Sequence, residues 1–151
     1  MRKLILIVVL LISAMLYASV SINVKTGAGL GLIGGELEYR FKDHYGFFGG
    51  IGTSFETFSF IGGFRYYFAN DYESGVYINI GGGLIPISVS NFTEEGTSFT
   101  MPIPLFFATG GYEFRITPHW KISAELGIGG GIALIIPVIT PTLGASIGYT
   151  F

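Results

Sequence analysis

Side chains able to act as nucleophiles or general bases are few and far apart in this sequence. Its two histidines, His44 and His119, each lie in a short polar segment that predicts a turn. The serines Ser88, Ser90 and Ser98 belong to a longer loop predicted on the opposite side of the strands. A nucleophile must lie within hydrogen-bond reach of its base. The sequence therefore predicts no catalytic site and no enzyme activity.

Metal and cofactor sites are equally unsupported by residue type and spacing. The chain contains no cysteine, and two scattered histidines cannot supply the clustered ligands of a transition-metal site. The segment Gly29–Gly34 matches the dinucleotide pattern G-x-G-x-x-G but lacks the following helix and the later acidic residue. Glu94 and Glu95 are interpreted as a solvated loop tip, with weak contact to a divalent cation or a lipid headgroup as the alternative. We predict no metal and no cofactor.

The composition is that of a protein with little water-facing surface. Charged residues make up 12% of the chain and hydrophobic residues 50%, whereas ordinary soluble domains carry about 25% charged residues. So few charges could hardly cover a surface in contact with water. The net charge of −2 comes without any basic stripe, which excludes nucleic acid as a partner. The composition is typical of a membrane protein.

The charged residues that do occur alternate with apolar residues, as where Phe64 and Tyr66 flank Arg65. Successive side chains of a β-strand point to opposite faces, so the charges share one face and the large apolar residues the other. Apolar-out and polar-in alternation is the pattern of a transmembrane β-barrel. In this register the following residues point into the barrel: Lys25, Glu36, Glu38, Arg40, Arg65, Glu113, Arg115, Lys121 and Glu125.

These nine lumen residues comprise five bases and four acids. Unpaired ions away from bulk water are unfavourable, so the near-balance predicts paired charges that fill the lumen and hold the strands in register. A narrow gated conduit that uses Arg65 or Arg115 is the alternative. Glycines dominate the inward face of the other half, where they predict either tight packing of large side chains or a small apolar cavity.

Turn residues divide the chain into eight alternating segments, which predicts an all-β, eight-stranded antiparallel up-and-down barrel. The predicted short, polar turns occupy residues 42–44, 69–74 and 117–120. On the other side, only the loop at 86–98 is long, and the last loop covers 135–140. The predicted strands cover residues 20–32, 35–42, 45–55, 58–68, 75–86, 99–116, 121–134 and 140–151.

Two other architectures agree with parts of the sequence. The uncharged stretches 75–92 and 126–151 are long enough for a helical membrane hairpin, although glycine, proline and β-branched residues disfavour helix there. A soluble barrel of the lipocalin type would place the apolar face inside and the charges outside. Strand-end aromatic residues near the short turns favour the membrane barrel, because an interfacial girdle is expected at that position.

The first residues have the layout of a secretory signal peptide. A basic start at 1–3 precedes an apolar run over 4–16 that is too short for a comfortable membrane span. We predict cleavage after Ala18, which leaves residues 19–151 as the barrel domain. A retained signal anchor is the alternative.

The end of the chain resembles that of the small outer-membrane β-barrels of Gram-negative bacteria, of the OmpX and OmpA transmembrane-domain kind. Ile147, Tyr149 and the terminal Phe151 share the apolar face of the last predicted strand. They are similar to the C-terminal signal by which the barrel assembly machinery recognises such proteins. The resemblance implies an integral outer-membrane barrel with periplasmic termini, whose partners are outer-membrane lipid and that machinery.

The function implied by this resemblance is a non-enzymatic structural or interaction role in the cell envelope. A narrow channel, or a carrier for a small and apolar ligand, is the alternative, and a lipid-modifying enzyme is a third candidate. Adhesion and receptor activity depend on long loops and are less supported, because most predicted loops are short. The residues do not indicate an oligomeric state.

Overall fold

In a computed structural model of the protein, the chain forms a closed barrel of eight antiparallel strands, in which each strand pairs with the next and β8 pairs with β1. The structure describes residues 18–41, 43–54, 58–70, 73–90, 98–133 and 136–151. The predicted eight-stranded antiparallel barrel is confirmed. The strands are β1 (Ala18–Gly27), β2 (Ile33–Phe41), β3 (Tyr45–Thr53), β4 (Phe58–Tyr67), β5 (Gly75–Ser90), β6 (Ser98–Arg115), β7 (Trp120–Ala133) and β8 (Ile136–Thr150).

Alternation along each strand separates a charged lumen from an apolar outer surface. In β1, Asn23 and Lys25 are 1% and 3% exposed, whereas Ile22 and Val24 are each 52% exposed. Across the barrel, the outward Leu126 of β7 is 67% exposed. The soluble barrel of the lipocalin type is therefore wrong, because the charged residues face the lumen and the large apolar residues face outward.

The helical hairpin is also wrong, because the described parts of both uncharged stretches are strands of the barrel. Their β-branched residues favour the extended conformation and their glycines and prolines disfavour helix. Within the described residues, no helix is long and apolar enough to cross a membrane.

Several strand boundaries differ from the prediction. β1 ends at Gly27 and not near residue 32, because the backbone turns inward at residues 28–31. β8 begins at Ile136 and not near residue 140, so most of the predicted loop at 135–140 is strand. β5 ends at Ser90 and β6 begins at Ser98, so part of the predicted loop at 86–98 is strand as well. Both segments contain a proline, Pro86 and Pro137, which cannot donate to a strand ladder. Proline is nevertheless tolerated in a strand where its nitrogen faces an unpaired edge.

The two halves of the chain give strands of different length. β1 to β4 have 9 or 10 residues each, whereas β5 to β8 have 14 to 18. Pairing of β5 with β6 continues to Ser90 and Ser98, and pairing of β7 with β8 continues to Ala133 and Ile136. Two hairpins, β5–β6 and β7–β8, therefore extend beyond the body of the barrel at the end away from the termini.

Aromatic side chains form a belt on the outer surface at the end of the barrel that carries the termini. Ring centroids lie 5.8 Å apart between Phe41 and Tyr45 and 5.4 Å apart between Tyr45 and Tyr66. On the far side of the same end, Tyr149 lies 5.3 Å from Trp120. The belt matches the girdle predicted near the short turns and is the arrangement seen where a barrel wall meets a membrane surface.

Some predictions lie outside the described residues. They include residues 1–17 of the predicted signal peptide, whose last residue, Ala18, begins β1. The loop residues Glu94 and Glu95 also lie outside the described residues. The signal-peptide cleavage site stays a prediction.

Candidate functional site

The nine lumen residues lie together in the half of the barrel nearest the termini, and we call them the lumen network. Eight of them are buried and Arg115 is partly buried. They come from five strands, β1, β2, β4, β6 and β7, and each occupies an inward position of the period-two pattern. Their side chains therefore converge across the lumen from several directions.

Glu38 of β2 is the centre of the lumen network. Its Oε2 accepts hydrogen bonds from Arg65 Nη1 at 2.8 Å and from Lys121 Nζ at 2.9 Å. Its Oε1 accepts a hydrogen bond from the hydroxyl of Tyr67. One carboxylate thus joins strands β2, β4 and β7, and charge-assisted bonds of this kind are the stronger ones in proteins.

Lys25 connects Glu36 and Glu125 on the side away from the termini. Its Nζ lies 2.6 Å from Glu125 Oε1 and 3.2 Å from Glu36 Oε2. Glu36 is also paired with Arg65, whose Nη2 lies 3.0 Å from Glu36 Oε1. The ion pairs are therefore shared, so that β1, β2, β4 and β7 are linked through adjacent charges.

Glu113 and Arg115 form the part of the network that belongs to β6. Arg115 Nε lies 2.8 Å from Glu113 Oε1, and Lys121 Nζ lies 3.0 Å from Glu113 Oε2. Arg115 also donates to the hydroxyl of Thr150 in β8 at 2.8 Å. This part closes the ring of contacts between β6, β7 and β8.

Arg40 closes the lumen at the end that carries the termini. Its Nε and Nη2 donate to the backbone carbonyl oxygens of Asp43 at 2.5 Å and Ala69 at 2.7 Å. Its guanidinium carbon lies 3.8 Å from the ring centroid of Tyr67, a cation–π geometry. Arg40 therefore links two turns to the lumen network at the end of the barrel that carries the termini.

Neutral polar residues complete the network, and the sequence prediction did not include them. Asn79 accepts from Arg65 Nε at 2.7 Å and donates to Glu125 Oε2 at 2.7 Å. Asn23 donates to Glu36 at 3.1 Å, and Tyr77 donates to Glu125 at 3.3 Å. All of them occupy inward positions of strands, so the period-two pattern that places the charges in the lumen places Asn23, Tyr77 and Asn79 there too.

The arrangement fills the lumen and leaves no carboxylate poised for acid–base chemistry. Each of the four acids is paired with at least one cation, and the pairs share donors across strands. Removing one member of a buried ion pair leaves the other charge buried and unpaired, which destabilises a protein by about 3–5 kcal/mol. What these contacts can do is hold strands together and block passage through this half of the barrel.

Leu30 fills the lumen of the other half and is completely buried. It packs with Phe48, Ile61 and Phe107 in an apolar cluster. The turn that carries Leu30 is held by hydrogen bonds from Leu30 N to Gly27 O at 3.0 Å and from Gly27 N to Gly31 O at 2.8 Å. We call residues 28–31 the Leu30 plug.

The Leu30 plug depends on glycine in its own turn and in the wall beside it. Within the turn, Gly29 and Gly31 have φ angles of 86° and 82°, which favour glycine. In the wall, a Cβ atom at Gly52 would lie 2.8 Å from the carbonyl carbon of Leu30, and one at Gly50 would lie 3.2 Å from Leu30 Cδ2. Tight packing is therefore the better of the two interpretations of the inward glycines.

A small pocket remains at the mouth above the Leu30 plug. It has a volume of about 280 Å³ and is lined by Ser54, Ser59 and Thr142 as well as by glycine backbone. Drug-sized ligand sites occupy about 300–1,000 Å³. The pocket at the mouth lies just below that range and its lining also includes the apolar residues Ile85, Pro141 and Leu143, so a carrier for a small apolar ligand stays a prediction.

The histidines are engaged in turns at the end that carries the termini. His44 Nδ1 lies 3.1 Å from the carbonyl oxygen of Tyr67, and His119 Nδ1 lies 2.9 Å from that of Thr150. Among the described residues, no group of histidine and acidic residues has the geometry to hold a metal ion. No serine of the described residues is brought to either histidine by a hydrogen bond.

The residues of the predicted assembly signal lie on the outer surface of the last strand. Ile147 and Phe151 are exposed, and Tyr149 is half-buried between its neighbours. The rings of Tyr149 and Phe151 lie 5.0 Å apart, and Phe151 N donates to Val20 O at 2.9 Å. Tyr149 and Phe151 therefore belong to the aromatic belt, and Ile147 lies on the same outward face of β8.

Comparison with known proteins supports the fold alone, since no family model and no curated protein matches the sequence. The barrel is similar to the N-terminal β-barrel domain of Pseudomonas aeruginosa OprF, with a TM-score of 0.61, 19% identity and coverage of 88% of this chain and 97% of that one. Neisserial surface protein A gives a TM-score of 0.61, 15% identity and coverage of 89% and 96%. Ail, the attachment invasion locus protein of Yersinia pestis, was solved in complex with the heparin analogue sucrose octasulfate. It gives a TM-score of 0.51 and 15% identity, with coverage of 89% of this chain and 96% of that one. The predicted resemblance to small outer-membrane barrels is confirmed at the level of fold.

Proposed function

We propose that this chain, which has the fold of the small outer-membrane barrels, is an integral outer-membrane protein with a sealed lumen. Its role would be non-enzymatic and lie in the structure of the envelope or in contacts made by its outer surfaces. The observation that carries the proposal is the double closure of the lumen, by the paired lumen network in one half and by the Leu30 plug in the other. A barrel closed at two levels acts through its wall and its rim.

The outer surface supports placement in a membrane. Every charged residue of the described strands lies on the lumen side, and large apolar residues such as Phe106 and Leu126 are more than 60% exposed. In water, so large an apolar surface would cause association with other molecules. In hydrocarbon the same surface is solvated, and the closed barrel leaves no unpaired edge in its body.

The orientation follows from the two ends of the barrel. The end that carries the termini has short turns, of which residues 43–44, 68–70, 73–74 and 116–119 are described, whereas the β5–β6 and β7–β8 hairpins project from the other end. Outer-membrane barrels have short periplasmic turns and longer extracellular loops. We therefore propose periplasmic termini and hairpins that face the cell exterior.

Conductance is the test of the sealed lumen. Protein whose folding is established by heat-modifiable migration on SDS gels is added to planar lipid bilayers, and we expect no reproducible conductance steps. Steps in the wild-type protein that change in Arg65→Ala or Arg115→Ala would establish a conduit through the lumen network and overturn the sealed barrel.

The envelope role and the absence of enzyme activity are tested in cells. Deletion of the gene is expected to raise entry of an apolar fluorescent dye, and re-expression of the wild-type protein is expected to restore the barrier. The lipid A of the two strains is expected to be identical by mass spectrometry. A change in lipid A acylation that re-expression reverses would instead identify a lipid-modifying enzyme, and an unchanged dye barrier would contradict the structural role.

A further inference from the structure

The outer wall of the barrel is recessed where β6, β7 and β8 meet near their exterior ends. The recess has a volume of about 440 Å³, and we call it the β6–β8 groove. Its floor contains Ala108 and Gly130, whose side chains are small or absent, and Phe106, Ile128 and Ile139 stand around it with more than 60% exposure. The volume lies within the range of ligand sites, about 300–1,000 Å³.

The β6–β8 groove continues into the cleft between the two hairpins. A second apolar pocket of about 180 Å³ shares Gly130, Gly131 and Val138 with the groove and reaches Pro104 and the inward Ile103. The cleft exists because β6 and β7 pair only as far as Leu105 and Gly131. None of the described residues that line the groove or the cleft is charged.

Other strand pairings also stop before the strands themselves end. β8 pairs with β1 only as far as Gly144 and Gly27, and β4 pairs with β5 only as far as Phe60 and Leu84. Beyond these points β5, β6 and β8 each have an open edge, which in most proteins would present unsatisfied N–H and C=O groups.

The prolines of β8 direct their nitrogen atoms to its open edge. In an antiparallel strand, the N and O atoms of one residue face the same neighbouring strand, and alternate residues face the same way. Leu143 O accepts from Ala28 N at 3.1 Å and so faces β1. Pro141 and Pro137 lie two and six residues before Leu143 and therefore face the same side, where β1 no longer pairs with β8.

The prolines of β5 and β6 follow the same rule. A Cβ atom at Gly131 would lie 2.7 Å from Pro104 O, so Pro104 faces β7, and Pro102 two residues away does too. Both lie beyond the end of pairing with β7. The carbonyl oxygen of Ile80 faces Gly63 of β4, and Pro86, six positions later in the same strand, therefore also faces β4. Pro86 lies beyond the end of pairing with β4. Each of these strand prolines therefore removes a donor that would have faced an open edge.

Among these strand prolines, Pro102 and Pro104 of β6 face the cleft, whereas those of β5 and β8 face β4 and β1. An added peptide strand binds by main-chain hydrogen bonds to an open edge, and on the β6 edge that faces the cleft Pro102 and Pro104 have no N–H to offer it. A polar ligand finds no charged side chain in the lining. A saturated hydrocarbon chain needs neither donor nor charge, and it is what surrounds the wall in the membrane that we propose.

We propose that the β6–β8 groove and the cleft beyond it bind one acyl chain of a zwitterionic membrane phospholipid. The groove would seat the chain on Ala108 and Gly130, and the β6 edge with Pro102 and Pro104 would stay unpaired with β7, so that part of the chain can enter the cleft. A zwitterionic lipid is favoured because, of the lining residues that the structure describes, none is basic and able to pair with a phosphate-rich headgroup. The inference rests on the proposed membrane location.

Photolabelling in vesicles tests the proposal. The protein is inserted into phosphatidylcholine vesicles that contain a small fraction of phosphatidylethanolamine with a diazirine in one acyl chain, irradiated, digested and mapped by mass spectrometry. We expect adducts to be several-fold enriched on the segments that line the groove, relative to the outward residues of β2 and β3. Labelling spread evenly over the outer wall would mean ordinary boundary lipid and would overturn the proposal.

Two variants sharpen the test. Ala108→Phe fills the floor of the groove and is expected to lower the enrichment several-fold, whereas Ala124→Phe, on the outward face of β7 outside the groove, is expected to leave it unchanged. Enrichment that survives in Ala108→Phe would overturn the assigned position. Excess lipid A that abolishes the adducts would assign the groove to lipopolysaccharide and overturn the phospholipid.

The membrane proposal and the groove proposal can fail separately in this design. Each sample is also tested for heat-modifiable migration on SDS gels. A protein that does not insert into vesicles contradicts the membrane location, whereas a protein that inserts and is labelled evenly contradicts the groove alone.

Discussion

Glu38 and Lys121 meet across the lumen, with Lys121 Nζ 2.9 Å from Glu38 Oε2 and both side chains buried. Glu38 lies in β2 and Lys121 in β7, which are separated by 83 residues and share no backbone pairing. The same Glu38 oxygen also accepts from Arg65 of β4 at 2.8 Å. The lumen network therefore connects opposite walls of the barrel, which the ladder of neighbouring strands cannot do.

We expect Glu38→Gln to lower the free energy of unfolding by about 3–5 kcal/mol, because Arg65 and Lys121 would lose the anion they share while both stay buried. The measurement is urea unfolding of the vesicle-inserted protein, followed by gel mobility. Glu73→Gln, at an exposed turn position, is the matched control and should change stability by no more than about 0.5 kcal/mol. Equal stabilities for the two variants would show that the network does not hold the walls together.

We expect Leu30→Ala to destabilise the barrel by about 2–5 kcal/mol, because it removes most of a completely buried side chain and leaves a cavity among Phe48, Ile61 and Phe107. The same urea titration measures the effect. Leu32→Ala, two residues away and 50% exposed, is the control and is expected to have a much smaller effect. A loss no greater than that of the control would mean that Leu30 does not fill the lumen in the folded protein.

The barrel and its lumen residues were predictable because their pattern is local. Period two is visible within any four or five residues, and a charge such as Arg65 between two aromatic residues identifies the inward face directly. The pairing of those charges was not predictable. Whether Glu38 meets Arg65 or Lys121 depends on how strands far apart in sequence are aligned, which alternation does not specify.

The Leu30 plug and the length of β8 could not be predicted for different reasons. The plug requires Ala28, a residue other than glycine, to adopt a φ of 43°, and it requires contact between Leu30 and glycines of β3. Neither leaves a pattern in the sequence. In β8, residues 135–140 were predicted as a loop, and only the pairing pattern shows that the strand begins at Ile136 and that the nitrogens of Pro137 and Pro141 face an edge where no donor is needed.

Gly52 and Gly49 provide a matched test of how the plug is seated. A Cβ atom at Gly52 would lie 2.8 Å from the carbonyl carbon and 2.9 Å from the Cβ of Leu30, whereas one at Gly49, on the outward face of the same strand, would meet only Ile61 O at 3.9 Å. We expect Gly52→Ala to destabilise the barrel by about 1–3 kcal/mol through overpacking. Gly49→Ala is expected to be neutral or slightly stabilising.

The two glycine variants are compared by urea unfolding in the same vesicles. Similar stabilities would contradict the tight seat beside Leu30. A destabilised Gly49→Ala would indicate instead that glycine is needed along β3 for its backbone conformation and not for the space it leaves to the plug.

Phe151 allows the assembly signal to be separated from the stability of the folded barrel. We expect Phe151→Ala to reduce the heat-modifiable fraction in cell outer membranes several-fold, because the terminal aromatic residue would no longer be recognised during insertion. The substitution keeps the backbone bond from residue 151 to Val20 O, so refolding of the purified variant into vesicles is expected to proceed as in the wild type. Phe68→Ala removes another exposed ring at the same end of the barrel and is expected to insert normally. If both variants insert poorly in cells, or if Phe151→Ala also fails to refold in vesicles, then the aromatic belt stabilises the barrel and the last strand carries no separate signal.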